Sequence, residues 1–216
     1  MPGKSLAEID GRPMVAHVLE RAASLPLVDE VVLATTVAPQ DDPLCDAVGR
    51  LGIPVFRGSE ADVLDRYYAC AAAHAADQVV RVTADCPLLC ISEGARVIAH
   101  QLNSGPDYTH NLTVWGSGLP LGTGLEIMTS DILERSWRNA TKPAEREHVD
   151  EWAYAHRSEL RFDLIEAPAP LHAPELSLTV DTAEDLDRVR LVAHRVGGLD
   201  ASVDLREVLA VLGPTM

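Results

Sequence analysis

Two aspartates stand where apolar segments of this chain end. Asp85 follows residues 79–82, three of which are valine, and Pro87, which cannot donate to a strand ladder, lies two residues further on. Asp181 closes the segment 176–180 in the same way. If both segments are parallel strands of one sheet, the two carboxylates meet in the crevice at its carboxyl edge and can share one Mg²⁺ ion. The alternative is that each aspartate only caps the turn or helix that follows it.

A second candidate site lies at residues 57–59, between an extended segment and a helix. Arg57 offers a guanidinium, Gly58 lets a ligand approach the backbone, and Ser59 begins an S-x-x-D spacing that predicts a helix N-terminus. This combination is typical of an anion or base-edge site, and Arg66 on the same helix either faces it or lies on the surface. The alternative is an ordinary turn with a solvated arginine.

A glycine-rich loop carries four glycines in the ten residues 115–124. Gly122 allows a polar ligand such as a sugar to come close to the backbone, and Glu126 can accept hydrogen bonds from its hydroxyl groups. A surface hairpin explains the same pattern.

The start of a helix at residues 143–149 is crowded with charge. Arg146 and His148 are candidates for binding there, although such residues more often form an exposed helical face.

Strand-like and helix-like segments alternate through the first half of the chain, which predicts an α/β fold with a mostly parallel sheet and flanking helices in one domain, residues 1–216. The predicted strands are 29–35, 53–56, 79–85, 107–111, 161–165 and 176–180. The predicted helices are 13–25, 41–51, 59–75, 92–102, 131–139, 143–156, 183–195 and 205–212.

The composition argues against two classes of partner. The 33 acidic residues outnumber the 18 lysines and arginines, and a net charge of -15 repels nucleic acid and anionic membranes. The four cysteines lack zinc-site spacing, and no segment approaches the ~18 apolar residues of a membrane span. We therefore expect a cytoplasmic protein with reduced thiols, in which a local basic pocket meets any polyanionic substrate.

Taken in order, these segments resemble one family along nearly the whole chain. Residues 2–4, 57–59, 62–66, 83–88, 122–126, 145–148 and 178–182 are similar to the spore coat polysaccharide biosynthesis protein F group of cytidylyltransferases, relatives of the CMP-KDO and acylneuraminate cytidylyltransferases. The motifs Thr-Ala-Asp-Cys-Pro-Leu at 83–88 and Glu-Arg-Glu-His at 145–148 are the most specific. The resemblance implies a nucleotide-diphospho-sugar-transferase-like fold that joins CTP to a sugar, usually an acidic one, and releases pyrophosphate.

The resemblance also implies a role for each candidate residue. Asp85 and Asp181 would bind Mg²⁺, and Lys4 would contact the triphosphate, with Lys4 and Asp85 as the catalytic pair. The cytidine side would be lined by Arg57, Gly58, Ser59 and Arg66. The acceptor side would be lined by Gly122, Glu126, Arg146 and His148. Relatives of this group suggest a homodimer.

One departure from the family pattern concerns the nucleotide loop. The family opens with a strand and a loop resembling I-I-Q-A-R-x-x-S-x-R-L-P-G-K, and this sequence begins at its last residues. Either the start was assigned too late in the reading frame, or the chain is truncated. For the sequence as given, we expect a sheet that lacks the first strand and a chain that binds CTP weakly or not at all. Two other readings stay open: a glycosyltransferase of related fold, although the D-x-D motif is missing at Asp85, or an inactive homologue with a binding or structural role.

Overall fold

The computed structural model describes residues 3–213. The strands are β1 (Glu8–Ile9), β2 (Arg12–Pro13), β3 (Leu33–Thr36), β4 (Val55–Gly58), β5 (Gln78–Arg81), β6 (Tyr108–His110), β7 (Glu126–Thr129) and β8 (Phe162–Leu164). The helices are α1 (Met14–Ala23), α2 (Asp42–Gly49), α3 (Val63–Ala73), α4 (Ile91–Ser104), α5 (Ser130–Asn139), α6 (Pro143–Glu147), α7 (Glu151–Ala155), α8 (Ala183–Val196) and α9 (Leu205–Leu212). Short 3₁₀ turns include Lys4–Leu6 and Thr113–Trp115.

The strands form mixed sheets, so the α/β class is confirmed but the mostly parallel pairing is not. The largest sheet has the order β5-β7-β6-β8, in which β7 runs antiparallel to both neighbours and β8 runs parallel to β6. A parallel pair, β3 and β4, and an antiparallel pair, β1 and β2, complete the described sheets. β7 leads back from the glycine-rich loop and lies between β5 and β6, which both run in the opposite direction.

Both faces of the four-stranded sheet are covered by apolar side chains. Neighbouring residues of β7 show this clearly, since Met128 packs with α3 and α5 on one face while Ile127 packs with α4 on the other. A third cluster packs α8 and α9 around the buried Leu178 and Val180. The core therefore fixes both β5, which precedes Asp85, and the segment that precedes Asp181.

Three predicted boundaries were wrong in informative ways. The strand predicted at 176–180 is an extended segment with a single bridge, Ser177 to Leu121, because its partner is the glycine-rich loop and not a strand. The helix predicted at 143–156 is split into α6 and α7. The cap of α3 is Asp62, whose carboxylate accepts from the Asp65 amide at 2.8 Å, whereas Ser59 accepts from the Asp62 amide.

The strand predicted to reach Asp85 ends at Arg81, so Asp85 lies in the turn that follows it. No helix among residues 3–213 is both long and apolar enough to cross a lipid bilayer.

Gly122 provides a test of how the glycine-rich loop holds the segment before Asp181. Its φ is +87°, and a Cβ atom there would lie 2.8 Å from the backbone nitrogen of Thr179. We expect Gly122→Ala to lower the free energy of unfolding by about 2–3 kcal/mol, because left-handed strain and a backbone clash add. Urea denaturation measures the loss.

Gly116 is the matched control, since its φ is +94° and a Cβ atom there would have no neighbour within 4 Å. Gly116→Ala should cost only the strain, about 1 kcal/mol. Equal losses in the two variants would show that the contact with Thr179 does not matter.

Candidate active site

Lys4 joins two parts of the chain that are far apart in sequence. Its Nζ donates to Asp85 Oδ2 at 3.0 Å and to Asp181 Oδ1 at 2.7 Å. Lys4 lies in the turn Lys4–Leu6, which begins after Gly3 in the left-handed conformation. The structure therefore brings all three residues of the predicted metal and phosphate site together, although the strands before the two aspartates differ from the prediction.

Backbone contacts hold the two carboxylates near each other. The Val180 amide donates to the Asp85 carbonyl at 2.9 Å, which ties the residue before Asp181 directly to Asp85. On the other side of Asp181, Thr182 and Asp185 form the predicted capping box at the start of α8. The convergence of the two side chains is thus built into the main chain on both sides.

The pKa values of Asp85 and Lys4 favour the charged forms of both side chains. Burial raises the pKa of Asp85, but hydrogen bonds from Thr83 and Lys4 and the charge of Lys4 lower it more, so the net pKa is below its ordinary value. Burial lowers the pKa of Lys4, but its hydrogen bonds to Asp181 and Asp85 raise it more. One cation between two carboxylates is the stable state of the site without a ligand.

A cavity of about 320 Å³ opens beside Asp85. Four of the predicted residues line it: Asp85 from the metal site, and Gly122, Glu126 and His148 from the acceptor side. The other lining residues are Arg81, Val82, Thr83, Cys86, Leu112, Thr113, Val114, Leu121, Gly124, Asp150, Glu151 and Thr179.

An ion pair between Arg81 and Glu126 lies among the residues that line this cavity. The two residues face each other across β5 and β7, and Arg81 Nη1 donates to Glu126 Oε1 at 2.5 Å. Asp150 lies 3.7 Å from the same nitrogen. Burial raises the pKa of Glu126 to about 7, against the lowering effect of the Arg81 charge.

His110 extends this row of side chains across the sheet, because it is the register partner of Glu126 on β6. It is buried, and its Nδ1 accepts a hydrogen bond from the Leu112 amide at 3.3 Å. Burial lowers the pKa of His110 to about 4, although the charge of Asp150 opposes this. The row is therefore a partly buried cation, a buried acid and a neutral imidazole.

The residues predicted to bind cytidine lie outside the lining of this cavity. Arg57 donates to the carbonyl oxygens of Thr36 and Ala38 and to Asp42. Arg66 donates to the Ser59 carbonyl, and a Cβ atom on Gly58 would press against the Arg66 side chain. The structure thus brings Arg57, Gly58, Ser59 and Arg66 into one region around the start of α3.

Arg146, predicted on the acceptor side, belongs to that region as well. It contacts the Asp62 carboxylate at 2.5 Å and donates to the Trp137 carbonyl at 2.7 Å. Of the Glu-Arg-Glu-His motif, only His148 lines the cavity.

Sequence reasoning missed Arg81, Asp150 and His110. The available signal was Arg81, a charged residue inside the valine-rich segment 79–82, where an unpaired charge would be costly. Nothing in the spacing of Asp150 or His110 indicated that they would meet Arg81 and Glu126.

Comparison with known proteins identifies the family. A family model described as cytidylyltransferase matches residues 1–196, and the chain belongs to this family of CTP-using enzymes. A solved structure of a cytidylyltransferase from Leptospira borgpetersenii serovar Hardjo-bovis superposes with a TM-score of 0.90 at 25% identity, covering 98% of this chain and 87% of that one. The resemblance found in the sequence is thereby confirmed.

Three curated relatives extend this finding. The chain is 31% identical over 212 residues to the uncharacterized protein MJ1063 of Methanocaldococcus jannaschii, covering 98% of this chain and 84% of that protein. It is 29% identical over 202 residues to the spore coat polysaccharide biosynthesis protein SpsF of Bacillus subtilis, covering 91% of this chain and 82% of that protein. A shorter match is to the 3-deoxy-manno-octulosonate cytidylyltransferase of Geobacter metallireducens. It is 41% identical over 90 residues and covers 41% of this chain and 34% of that protein.

The low pKa of His110 predicts how stability changes with pH. The unfolded chain protonates this histidine near its ordinary value of 6.5, whereas the folded chain resists until about pH 4. The contribution of His110 to the free energy of unfolding therefore falls by about 2 kcal/mol between pH 7 and pH 5. His110→Gln should remove this contribution, as measured by the free energy of unfolding in urea at both pH values.

Glu126 contributes to the pH dependence of stability with the opposite sign. Because its pKa is raised, it stabilises the folded chain as the pH falls below about 7. The test therefore compares the wild type with His110→Gln in how much the free energy of unfolding changes between pH 7 and pH 5. His194→Gln, at an exposed position on α8, is the control. A wild-type pH dependence that survives in His110→Gln would contradict the assignment.

Proposed function

We propose that this chain transfers CMP from CTP to a sugar, releases pyrophosphate and takes an acidic sugar as acceptor. The family supports the use of CTP. The names of two relatives support the acceptor, since one serves polysaccharide biosynthesis and the other acts on 3-deoxy-manno-octulosonate, a sugar with a carboxylate. Three further statements stay predictions from the sequence: that the protein is cytoplasmic, that it forms a homodimer, and that it binds neither nucleic acid nor membranes.

The observation that carries the proposal is the convergence of Asp85 and Asp181 on one cation. No group of three or more His, Cys, Asp or Glu side chains able to hold a metal occurs among residues 3–213. Two carboxylates suit Mg²⁺, which binds one or two protein carboxylates and completes its shell with substrate phosphates and water. The residues therefore fit Mg²⁺ bound together with a nucleotide.

When bound, Mg²⁺ would neutralise charge on the triphosphate and polarise the phosphoryl group. Asp85 and Asp181 would hold it at the cavity, and Lys4 would be left to pair with a phosphate oxygen. This local positive charge is needed because a chain of net charge -15 repels CTP.

The transfer itself is a displacement at phosphorus. A sugar hydroxyl oxygen forms a bond to the α-phosphorus of CTP and loses its proton to solvent, while the bond from that phosphorus to the leaving pyrophosphate breaks. The chain contributes position and charge: the cavity beside Asp85 would hold the sugar, with backbone at Gly122 and side chains at Glu126 and His148. The roles of Arg57, Gly58, Ser59 and Arg66 toward cytidine, and of Arg146 toward the acceptor, stay predictions.

Removing either carboxylate should disable transfer. We expect Asp85→Asn and Asp181→Asn to lower kcat by about 100-fold or more, because each removes charge that holds the metal at the triphosphate. Pyrophosphate release is measured at saturating Mg-CTP with 3-deoxy-manno-octulosonate and N-acetylneuraminate as acceptors, and weak binding of CTP would appear separately as a high KM.

Asp187→Asn is the control, since Asp187 is an exposed aspartate on α8 that pairs only locally with Arg190. It should keep the wild-type rate. Wild-type activity in Asp85→Asn, or no pyrophosphate from the wild-type chain with either sugar, would contradict the proposed function.

A further inference from the structure

The 3₁₀ turn Thr113–Trp115 contributes to the lining of the cavity of about 320 Å³. Its first two residues, Thr113 and Val114, line the cavity, as does the preceding Leu112. Val114 is 63% exposed, so its side chain is accessible to a bound molecule. A sugar held in the cavity would therefore meet this turn, and the place of the turn sets the width of the cavity on that side.

The hydrogen bonds of the turn do not fix its place in the protein. The amides of Trp115 and Gly116 donate to the carbonyl oxygens of Leu112 and Thr113, and Thr113 Oγ1 donates to the Leu119 carbonyl. Among residues 3–213, no hydrogen bond of residues 113–116 reaches beyond residues 110–119. These bonds close the turn on itself and leave its placement to side-chain contacts.

The second half of the glycine-rich loop is held differently. The Ser117 carbonyl accepts from the Ala167 amide at 2.8 Å, and the Gly118 carbonyl accepts from the Ala173 amide at 2.9 Å. Backbone bonds thus tie this half of the loop to the segment that leads to Asp181. The first half, which carries the cavity-lining turn, lacks such bonds within the part of the chain that the structure describes.

One aromatic stack connects the turn to the rest of the fold. The Trp115 ring lies on the Tyr154 ring of α7, with 3.4 Å between ring centroids and 18° between ring planes. Tyr154 in turn meets Phe162 of β8 edge-on at 5.8 Å, and α7 is anchored by the buried Trp152. Stacked aromatic pairs stabilise a structure beyond the area they bury. Tyr154 is therefore a fixed support on which the turn rests.

We propose that Trp115 and Tyr154 are positioning residues whose stack holds the turn against the cavity, where it forms the wall that the sugar acceptor contacts. Neither ring lines the cavity, so both act through Thr113 and Val114. This inference rests on the proposed function, because it concerns how the same cavity binds its acceptor.

The test separates acceptor binding from the other steps of the reaction. We expect Tyr154→Ala to raise the KM for the acceptor about tenfold, because the turn then spends only a fraction of the time where the acceptor needs it. The kcat and the KM for Mg-CTP should stay within twofold, since saturating acceptor draws the turn back into place. Pyrophosphate release is measured over a range of concentrations of 3-deoxy-manno-octulosonate and of N-acetylneuraminate.

Two variants serve as controls. Tyr154→Phe keeps the stacked ring and should keep the wild-type KM for the acceptor. His156→Ala removes another ring of the neighbouring segment, which stacks on Trp152 at 4.2 Å and lies outside the cavity lining. It should leave all three kinetic constants near the wild-type values. Should Tyr154→Ala not fold, as judged by circular dichroism, Trp115→Ala carries the same test, since it removes the other ring of the stack.

The possible failures are distinguishable. If the wild type uses neither 3-deoxy-manno-octulosonate nor N-acetylneuraminate, the proposed function fails and the inference fails with it. If the wild type is active but the stack variant keeps its acceptor KM within twofold, only the inference is overturned. A variant in which the KM for Mg-CTP rises as much as that for the acceptor, or a like effect in His156→Ala, overturns it as well, because the stack would then be merely structural.

Discussion

The structure of this site depends on one ammonium group between two carboxylates. Lys4 Nζ holds Asp85 and Asp181, residues 81 and 177 positions away along the chain. Without a cation between them, two neighbouring carboxylates repel each other. The amide of Val180, bonded to the Asp85 carbonyl, keeps them close regardless. The backbone thus enforces a cluster of negative charge that only a cation can satisfy.

The backbone also fixes the ion pair between Arg81 and Glu126 in the cavity lining. The sheet places Arg81 opposite Glu126, and burial makes each dependent on the other. Each of the two side chains has one buried atom without a hydrogen-bond partner among residues 3–213.

The sequence could predict features that depend on local patterns. Apolar segments that stop at an acid identified Asp85 and Asp181, and the T-x-x-D spacing identified the cap of α8. Features that depend on how distant strands pair could not be read this way. The antiparallel entry of β7 is one, and the meeting of Arg81 with Glu126 follows from it, since each residue's neighbour is set by the register.

Arg146 shows the limit of a motif. The Glu-Arg-Glu-His spacing indicated one functional unit, but the chain ends α6 at Glu147, so His148 lines the cavity while Arg146 contacts Asp62 on the other side. Residues two positions apart point in different directions on a helix, so Arg146 and His148 would not share one site even if α6 continued.

The central claim, that Asp85 and Asp181 form a cation site occupied by Lys4, is tested most directly by Mn²⁺ binding. Free Mn²⁺ is measured by electron paramagnetic resonance, without nucleotide, for the wild type, Lys4→Met and Asp85→Asn. Lys142→Met is the control, because it removes a lysine that pairs with Glu145 instead. Removing a competing ion pair worth roughly 1 kcal/mol should tighten Mn²⁺ binding about fivefold in Lys4→Met.

Asp85→Asn should bind Mn²⁺ more weakly than the wild type, and Lys142→Met should match it. Unchanged affinity in both Lys4→Met and Asp85→Asn would contradict the account, because the two carboxylates would then not form a shared cation site.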